Sequence, residues 1–163
     1  YNRVIIFDPL AKLDGRYFRT LANLRRYCDR APFFRVVTDN METFDDLCGY
    51  VLQRGRCMFC IEEITRIIPD ARARIPANFQ KLIYSAGHYH VDMMLIAQRI
   101  GSIPIQARSQ YSKTLTFCQT ERADLDYLET ITGADAVQEI PLLPRDTYYE
   151  IRPGMIVERK GAA

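Results

Sequence analysis

One stretch limits the choice of fold more than any other. Cys57-Met58-Phe59-Cys60-Ile61 is a short apolar run, bounded by Gly55 before it and by the adjacent carboxylates Glu62 and Glu63 after it. A run of this length with no polar alternation predicts a strand buried on both faces of a parallel sheet. Carboxylates at the carboxyl end of such a strand lie where open α/β sheets place their ligands. One carboxylate can hold a Mg²⁺ ion, directly or through water, and its neighbour can orient an attacking water. The alternative for the same pair is a surface cap on a following helix.

The pattern of an apolar run closing on polar groups recurs along the chain. Val4 to Phe7 closes on Asp8-Pro9 and predicts a first strand. Leu21, Leu24 and Tyr27 predict a helix over about 17–30, broken by Pro32. Phe33 to Val37 predicts a second strand, ending at Thr38-Asp39. Thr38 or Asn40 caps a helix to about Leu52, with Phe44, Leu47, Tyr50 and Val51 facing inward and Gly55 as its stop. Ile64 to Ile75 reads as loop or short helix, and Ala77 to Ala86 as a helix with Phe79, Leu82 and Ile83 inward, ended by Gly87. Val91 to Ala97 predicts a strand that delivers Gln98-Arg99. A short helix over Pro104 to Tyr111, a strand over Leu115 to Cys118 and a helix over Arg122 to Ile131, stopped by Gly133, follow. Thr147 to Ile151 reads as a final strand or a hairpin arm, within an edge strand and fraying tail over 140–163.

Strands separated by helices of this length imply βαβ units. The predicted class is α/β: a mostly parallel sheet of about five or six strands with helices on both faces. A chain of 163 residues is most simply one domain. It begins at Tyr1, almost within a strand, and residues are expected upstream of it. No run reaches the roughly 18 apolar residues of a membrane span. Net charge is only +2, so nucleic-acid binding does not follow from bulk charge. The pairs Arg25-Arg26, Arg72 with Arg74, and Arg99 with Arg108 read first as solvated faces or ion-pair partners. The five cysteines include one C-x-x-C, Cys57 and Cys60, whose side chains a strand points to opposite faces; core thiols in a reducing cytoplasm follow. His88 and His90 read as part of a loop or strand start.

The strand ends together present Asp8, Thr38-Asp39, Glu62-Glu63 and Gln98-Arg99. In that order the chain resembles the HerA/FtsK group of P-loop ATPases, motors that pump or package DNA. The resemblance rests on Ile5-Ile6-Phe7-Asp8-Pro9, on the strand ending in Glu62-Glu63, and on Ala97-Gln98-Arg99 followed by Pro104 and Arg108. It spans residues 3–120. It implies a RecA-like core in which Glu62 sits in the Mg²⁺ shell at the Walker B position and Glu63 polarises the attacking water. Gln98 would sense the γ-phosphate, Arg99 or Arg108 would reach a phosphate in the same or a neighbouring subunit, and Asp8 would border the nucleotide. ATP and Mg²⁺ are the implied cofactors. The implied assembly is a hexameric ring on double-stranded DNA, in the host or bacterial cytoplasm or associated with a virion. Family members usually carry Asp where Glu62 stands. No G-x-x-x-x-G-K-[ST] occurs, and Ser112-Lys113-Thr114 lacks the glycines of a phosphate loop. The resemblance places that loop upstream of Tyr1, so the 163 residues alone are expected to bind nucleotide poorly. A non-catalytic scaffold of the same fold, in phage morphogenesis or secretion, is the alternative function. A flavodoxin-like or nuclease-like domain with Asp8, Glu62 and Glu63 as a two-metal cluster is a third.

Overall fold

Residues 1–39, 43–153 and 158–161 are described by the computed structural model, and they form two compact units. The first comprises Tyr1–Gln98 with Ser102–Gln106, and the second Arg99–Gly101 with Ala107–Ala163.

Unit 1 is built on four parallel strands, β1 (Arg3–Phe7), β2 (Phe34–Thr38), β3 (Cys57–Ile61) and β4 (Val91–Leu95), in the order β2-β1-β3-β4. The connections hold α1 (Leu21–Arg30), α2 (Phe44–Arg54) and α3 (Ala77–Ser85). Alternation within each strand sets the packing. Ile5 and Phe7, Phe34 and Val36, and Phe59 and Ile61 are buried in one cluster with Leu24 and Cys28 of α1, Leu47 and Val51 of α2, and Phe79 and Leu82 of α3. Phe44 stands at its centre, 5.0 Å from the Phe7 ring and 5.3 Å from the Phe79 ring, both edge-on. On the opposite face of β1 and β2, Ile6 and Val37 are buried as well. Met94 and Ile96, which leave β4 on the other face, are exposed.

Local chemistry fixes the boundaries. Thr20 starts α1 by accepting the Asn23 N–H, so the helix begins at Leu21 and not near residue 17. Residues 16–18 run extended instead: Tyr17 bridges Val37 in parallel, outside β2. That approach needs Gly15, where a Cβ would lie 2.7 Å from the Val37 side chain. Thr38 is the last residue of β2 and so does not cap α2; Thr43 precedes that helix, and Asn40 lies outside the described residues. Gly55 does end α2, at φ 57°. Any Cβ there would meet the Tyr89 carbonyl oxygen at 2.7 Å. Gly87 does not stop the chain after α3: it sits inside a 3₁₀ turn, Ala86–Tyr89, and left-handed His90 makes the bend.

Unit 2 departs from the expectation of a single sheet. After one helical turn, α4 (Ile105–Arg108), the strands β5 (Thr114–Thr116), β6 (Thr147–Ile151) and β7 (Glu158–Gly161) form a separate antiparallel sheet in the order β5-β6-β7. The parallel sheet therefore has four strands rather than five or six. Thr147–Ile151 is a middle strand rather than an edge, and part of the expected tail is β7. The helices α5 (Arg122–Thr132) and α6 (Ala134–Glu139) separate β5 from β6. Leu128, Ile140, Leu143, Tyr149 and Ile151 form the core of this unit. The thiols of Cys28, Cys48 and Cys57 are buried, whereas that of Cys118 is exposed. Among the described residues no helix is long and apolar enough to cross a membrane.

Candidate functional site

The parallel sheet delivers its polar residues to one margin because β1, β3 and β4 all end there. Phe7 pairs with Ile61, so Asp8 and Glu62 are the next residues of neighbouring strands, leaving on the same face. Asp8 is 1% exposed and fully engaged. One of its carboxylate oxygens accepts from Lys12 N at 2.7 Å, Leu13 N at 2.8 Å and the Tyr17 hydroxyl at 2.9 Å, and the other from Leu10 N at 3.1 Å. Burial pushes its pKa up, but these donors outweigh burial and hold the carboxyl below its ordinary range. Asp8 organises the loop after β1, a role that the sequence reading missed because three of the four donors are backbone amides.

Glu62 has the opposite environment. Its backbone is pinned by Glu62 N–H donating to the Phe7 carbonyl at 2.9 Å. Its carboxylate takes no hydrogen bond among the described residues. Partial burial raises its pKa first, the negative charges of Asp8 and Glu63 raise it further, and Lys12 only partly offsets them. Excess negative charge beside a half-buried carboxylate is what a bound cation relieves, and one carboxylate plus phosphate oxygens is an ordinary Mg²⁺ donor set. Glu62 therefore fits the metal role. The two-metal alternative does not fit: among the described residues no three His, Cys, Asp or Glu groups form a metal cluster.

Glu63 leaves β3 in the left-handed region, φ 46° and ψ 58°, a conformation that costs a non-glycine residue about 1 kcal/mol or more. The bend turns its carboxylate toward the next strand. One oxygen accepts from the Thr65 hydroxyl at 2.7 Å, and the other from the Gln98 side-chain amide at 3.4 Å. The second distance is long for a hydrogen bond, yet it joins two groups 35 residues apart at neighbouring strand ends. The structure thus brings Asp8, Glu62, Glu63 and Gln98 to one margin.

The two arginines are engaged within unit 2. Arg99 Nε donates to Asp124 at 2.8 Å, and Glu121 lies 3.7 Å from its guanidinium. Asp124 is 0% exposed and also accepts from Gly101 N at 2.7 Å. A Cβ at Gly101 would come within 2.6 Å of that carboxylate, so the glycine makes room for it. The Arg108 guanidinium lies over the Tyr127 ring, 4.5 Å from its centroid. Asp124 and Tyr127 were invisible in the sequence as partners, since only the i, i+3 spacing on α5 places them together.

No protein-family model matches the sequence, and no curated protein does. Solved structures do match. The genome packaging NTPase B204 of Sulfolobus turreted icosahedral virus 2, in complex with AMPPCP, superposes with a TM-score of 0.80 at 14% identity, over 99% of this chain and 83% of that one. B204 of Sulfolobus turreted icosahedral virus, described as a DNA-packaging ATPase, gives a TM-score of 0.66 at 11% identity over 99% and 83%. The pCW3 conjugation coupling protein TcpA, with ATPγS, gives 0.66 at 10% identity, over 98% of this chain and 51% of TcpA. At such identities the likeness lies in the course of the backbone. The chain therefore shares the α/β, RecA-like fold of these genome-packaging and conjugation proteins.

Proposed function

We propose that this chain is the ATPase core of a DNA packaging or transfer motor. The observation that carries the reading is the meeting of Gln98 and Glu63 across the ends of β3 and β4, beside the charge-crowded Glu62. In this reading Glu62 holds Mg²⁺ together with nucleotide phosphates. Glu63 accepts a proton-bearing contact from the attacking water, and its left-handed backbone aims the carboxylate. Gln98 couples that carboxylate to the γ-phosphate. MgATP supplies the transferable phosphoryl group and the metal's charge when bound. Arg99 receives a structural role in this reading, because Asp124 already holds it, whereas Arg108, stacked on Tyr127, keeps its N–H groups for a phosphate.

An upstream βα unit with a phosphate loop completes the site in this proposal. Its strand would pair with the outer side of β4, which has only β3 as a neighbour among the described residues, and its helix would cover Met94 and Ile96. The unit of function is a ring on double-stranded DNA, with a hexamer as the expected count, working in the cytoplasm. The reading is tested by restoring the upstream segment and measuring ATP turnover. Glu63→Gln is expected to lower it by about 100-fold or more; unchanged turnover removes Glu63 from the mechanism. Residues 1–163 alone are expected to bind ATP more weakly than the micromolar range, and micromolar affinity would contradict the need for the loop.

The second reading is a non-catalytic scaffold of the same fold in phage morphogenesis or secretion. The upstream codons separate the two: a G-x-x-x-x-G-K-[ST] within roughly 30 residues of Tyr1 selects the motor.

A further inference from the structure

Unit 1 has a second polar surface, which adjoins the acid margin through Tyr17: this residue lines it, and its hydroxyl donates to Asp8. The extended segment 16–18 outside β2 and the outer side of α1 enclose a shallow concavity of about 640 Å³. Four arginines line it: Arg16 and Arg19 from the segment, Arg26 and Arg30 from the helix. No carboxylate lines it. All four are exposed, and Arg16, Arg26 and Arg30 enter no ion pair among the described residues. Asp29, the acid of the same helix, is drawn off by the Tyr50 hydroxyl, which donates to it at 3.0 Å. The floor is aromatic. The Arg16 guanidinium lies 4.4 Å from the Tyr27 ring centroid and 5.4 Å from that of Phe18, and these rings stack 5.3 Å apart.

Four like charges gathered in one hollow repel one another in the free protein, although acidic residues elsewhere bring the net charge of the chain down to +2. Arg26 and Arg30 are one helical turn apart, about 6 Å along the axis, so they present two guanidinium forks side by side. Such forks match phosphate oxygens two at a time. Arg16 is held by ring stacking rather than by an acid, which fixes its plane and leaves its N–H groups for a ligand.

We propose that this arginine concavity on α1 is a docking surface for the sugar–phosphate backbone of duplex DNA. The choice of DNA rests on the motor reading above and on charge complementarity: a duplex offers a fixed line of charge, about one per 1.7 Å of axis, which an acidic peptide does not hold rigid. The contacts are backbone contacts, so they position the duplex without reading sequence.

The test measures fluorescence anisotropy of a labelled 30-base-pair duplex with the 163-residue chain across a salt series. Arg26→Glu with Arg30→Glu is expected to weaken binding by about 10-fold or more and to flatten the log K against log salt slope by about 2, since each phosphate neutralised contributes about 0.9. Arg26→Lys with Arg30→Lys is expected to keep most of that slope. Both sites are exposed, and circular dichroism with a thermal melt verifies that the variants fold. Absence of duplex binding by the parent chain, an unchanged slope in the Glu variant, or tighter arginine-dependent binding of polyglutamate than of duplex would each overturn the proposal. Its failure is distinct from failure of the catalytic reading, which is read from ATP turnover of the Glu63→Gln protein and does not involve these arginines.

Discussion

The acids of the two units have opposite circumstances. In unit 2 Asp124 and Glu150 are buried and matched: Asp124 by Arg99 and the Gly101 amide, Glu150 by Lys160 at 3.1 Å and Arg152 Nε at 2.8 Å. In unit 1 Glu62 stands against Asp8 and Glu63 with only Lys12 opposing them. The pKa directions follow the surroundings. Lys160 and Arg152 pull Glu150 down, and burial with two like charges pushes Glu62 up. Paired acids hold a structure together, whereas an acid left among other acids adds strain that a ligand can relieve. Asp8 shows that strand-end position alone does not decide the matter, since it lies beside Glu62 and is matched by four donors.

Replacing each acid in turn sharpens or breaks this contrast. The largest effect is expected at Asp8. Asp8→Ala leaves three part-buried amides without their acceptor and the Tyr17 hydroxyl with the Leu13 carbonyl alone, a loss of about 3 kcal/mol, or about 6–12 °C in Tm. A loss below about 1 kcal/mol in a denaturant melt would mean that water replaces the carboxylate and that Asp8 is free for another role. Asp124→Ala is expected to cost about 2 kcal/mol, less than Asp8 because Arg99 is half exposed and can turn to solvent.

Glu150→Gln and Glu62→Gln are expected to have opposite signs at pH 7. The folded pKa of Glu150 is depressed, so its contribution is present above the unfolded value and lost as pH falls through the folded one. The variant should melt a few degrees lower at neutral pH, about 2–4 °C, and converge with the parent in acid. The folded pKa of Glu62 is raised, so its ionised form costs stability above that pKa and nothing below the ordinary carboxylate range. Glu62→Gln should therefore melt about 1–3 °C higher at pH 7, again converging in acid. A Glu62→Gln protein that melts lower at pH 7 would show Glu62 to be a matched acid after all, and the contrast would collapse.

The acid margin was legible in the sequence because burial leaves an unambiguous mark there. A central parallel strand, flanked by β1 and β4 and with no exposed residue on either face, is apolar throughout, so Cys57 to Ile61 stands out and its exit at Glu62 is plain. Gln98 followed from the same logic on β4. Roles set by distant partners were not legible: Arg99 finds Asp124 across 25 residues, and nothing in either neighbourhood announces the pair. The second sheet was missed for a different reason. Thr114-Leu115-Thr116 is three residues long, too short for its composition to report whether its neighbour is parallel or antiparallel. Tyr17 was placed in a helix because it stands four residues before Leu21, at helical spacing, whereas the Thr20 cap starts the helix later.

The left-handed backbone at Glu63 has an evolutionary consequence. Gly or Asn would adopt that geometry with less strain, by an amount of order 1 kcal/mol. A laboratory selection that rewards only heat resistance would thus be drawn to position 63, and would enrich survivors that have discarded the carboxylate in contact with Gln98. A sequence collection from such a selection, sorted by which of its members still carry Glu there, would separate robustness from turnover without any enzyme assay.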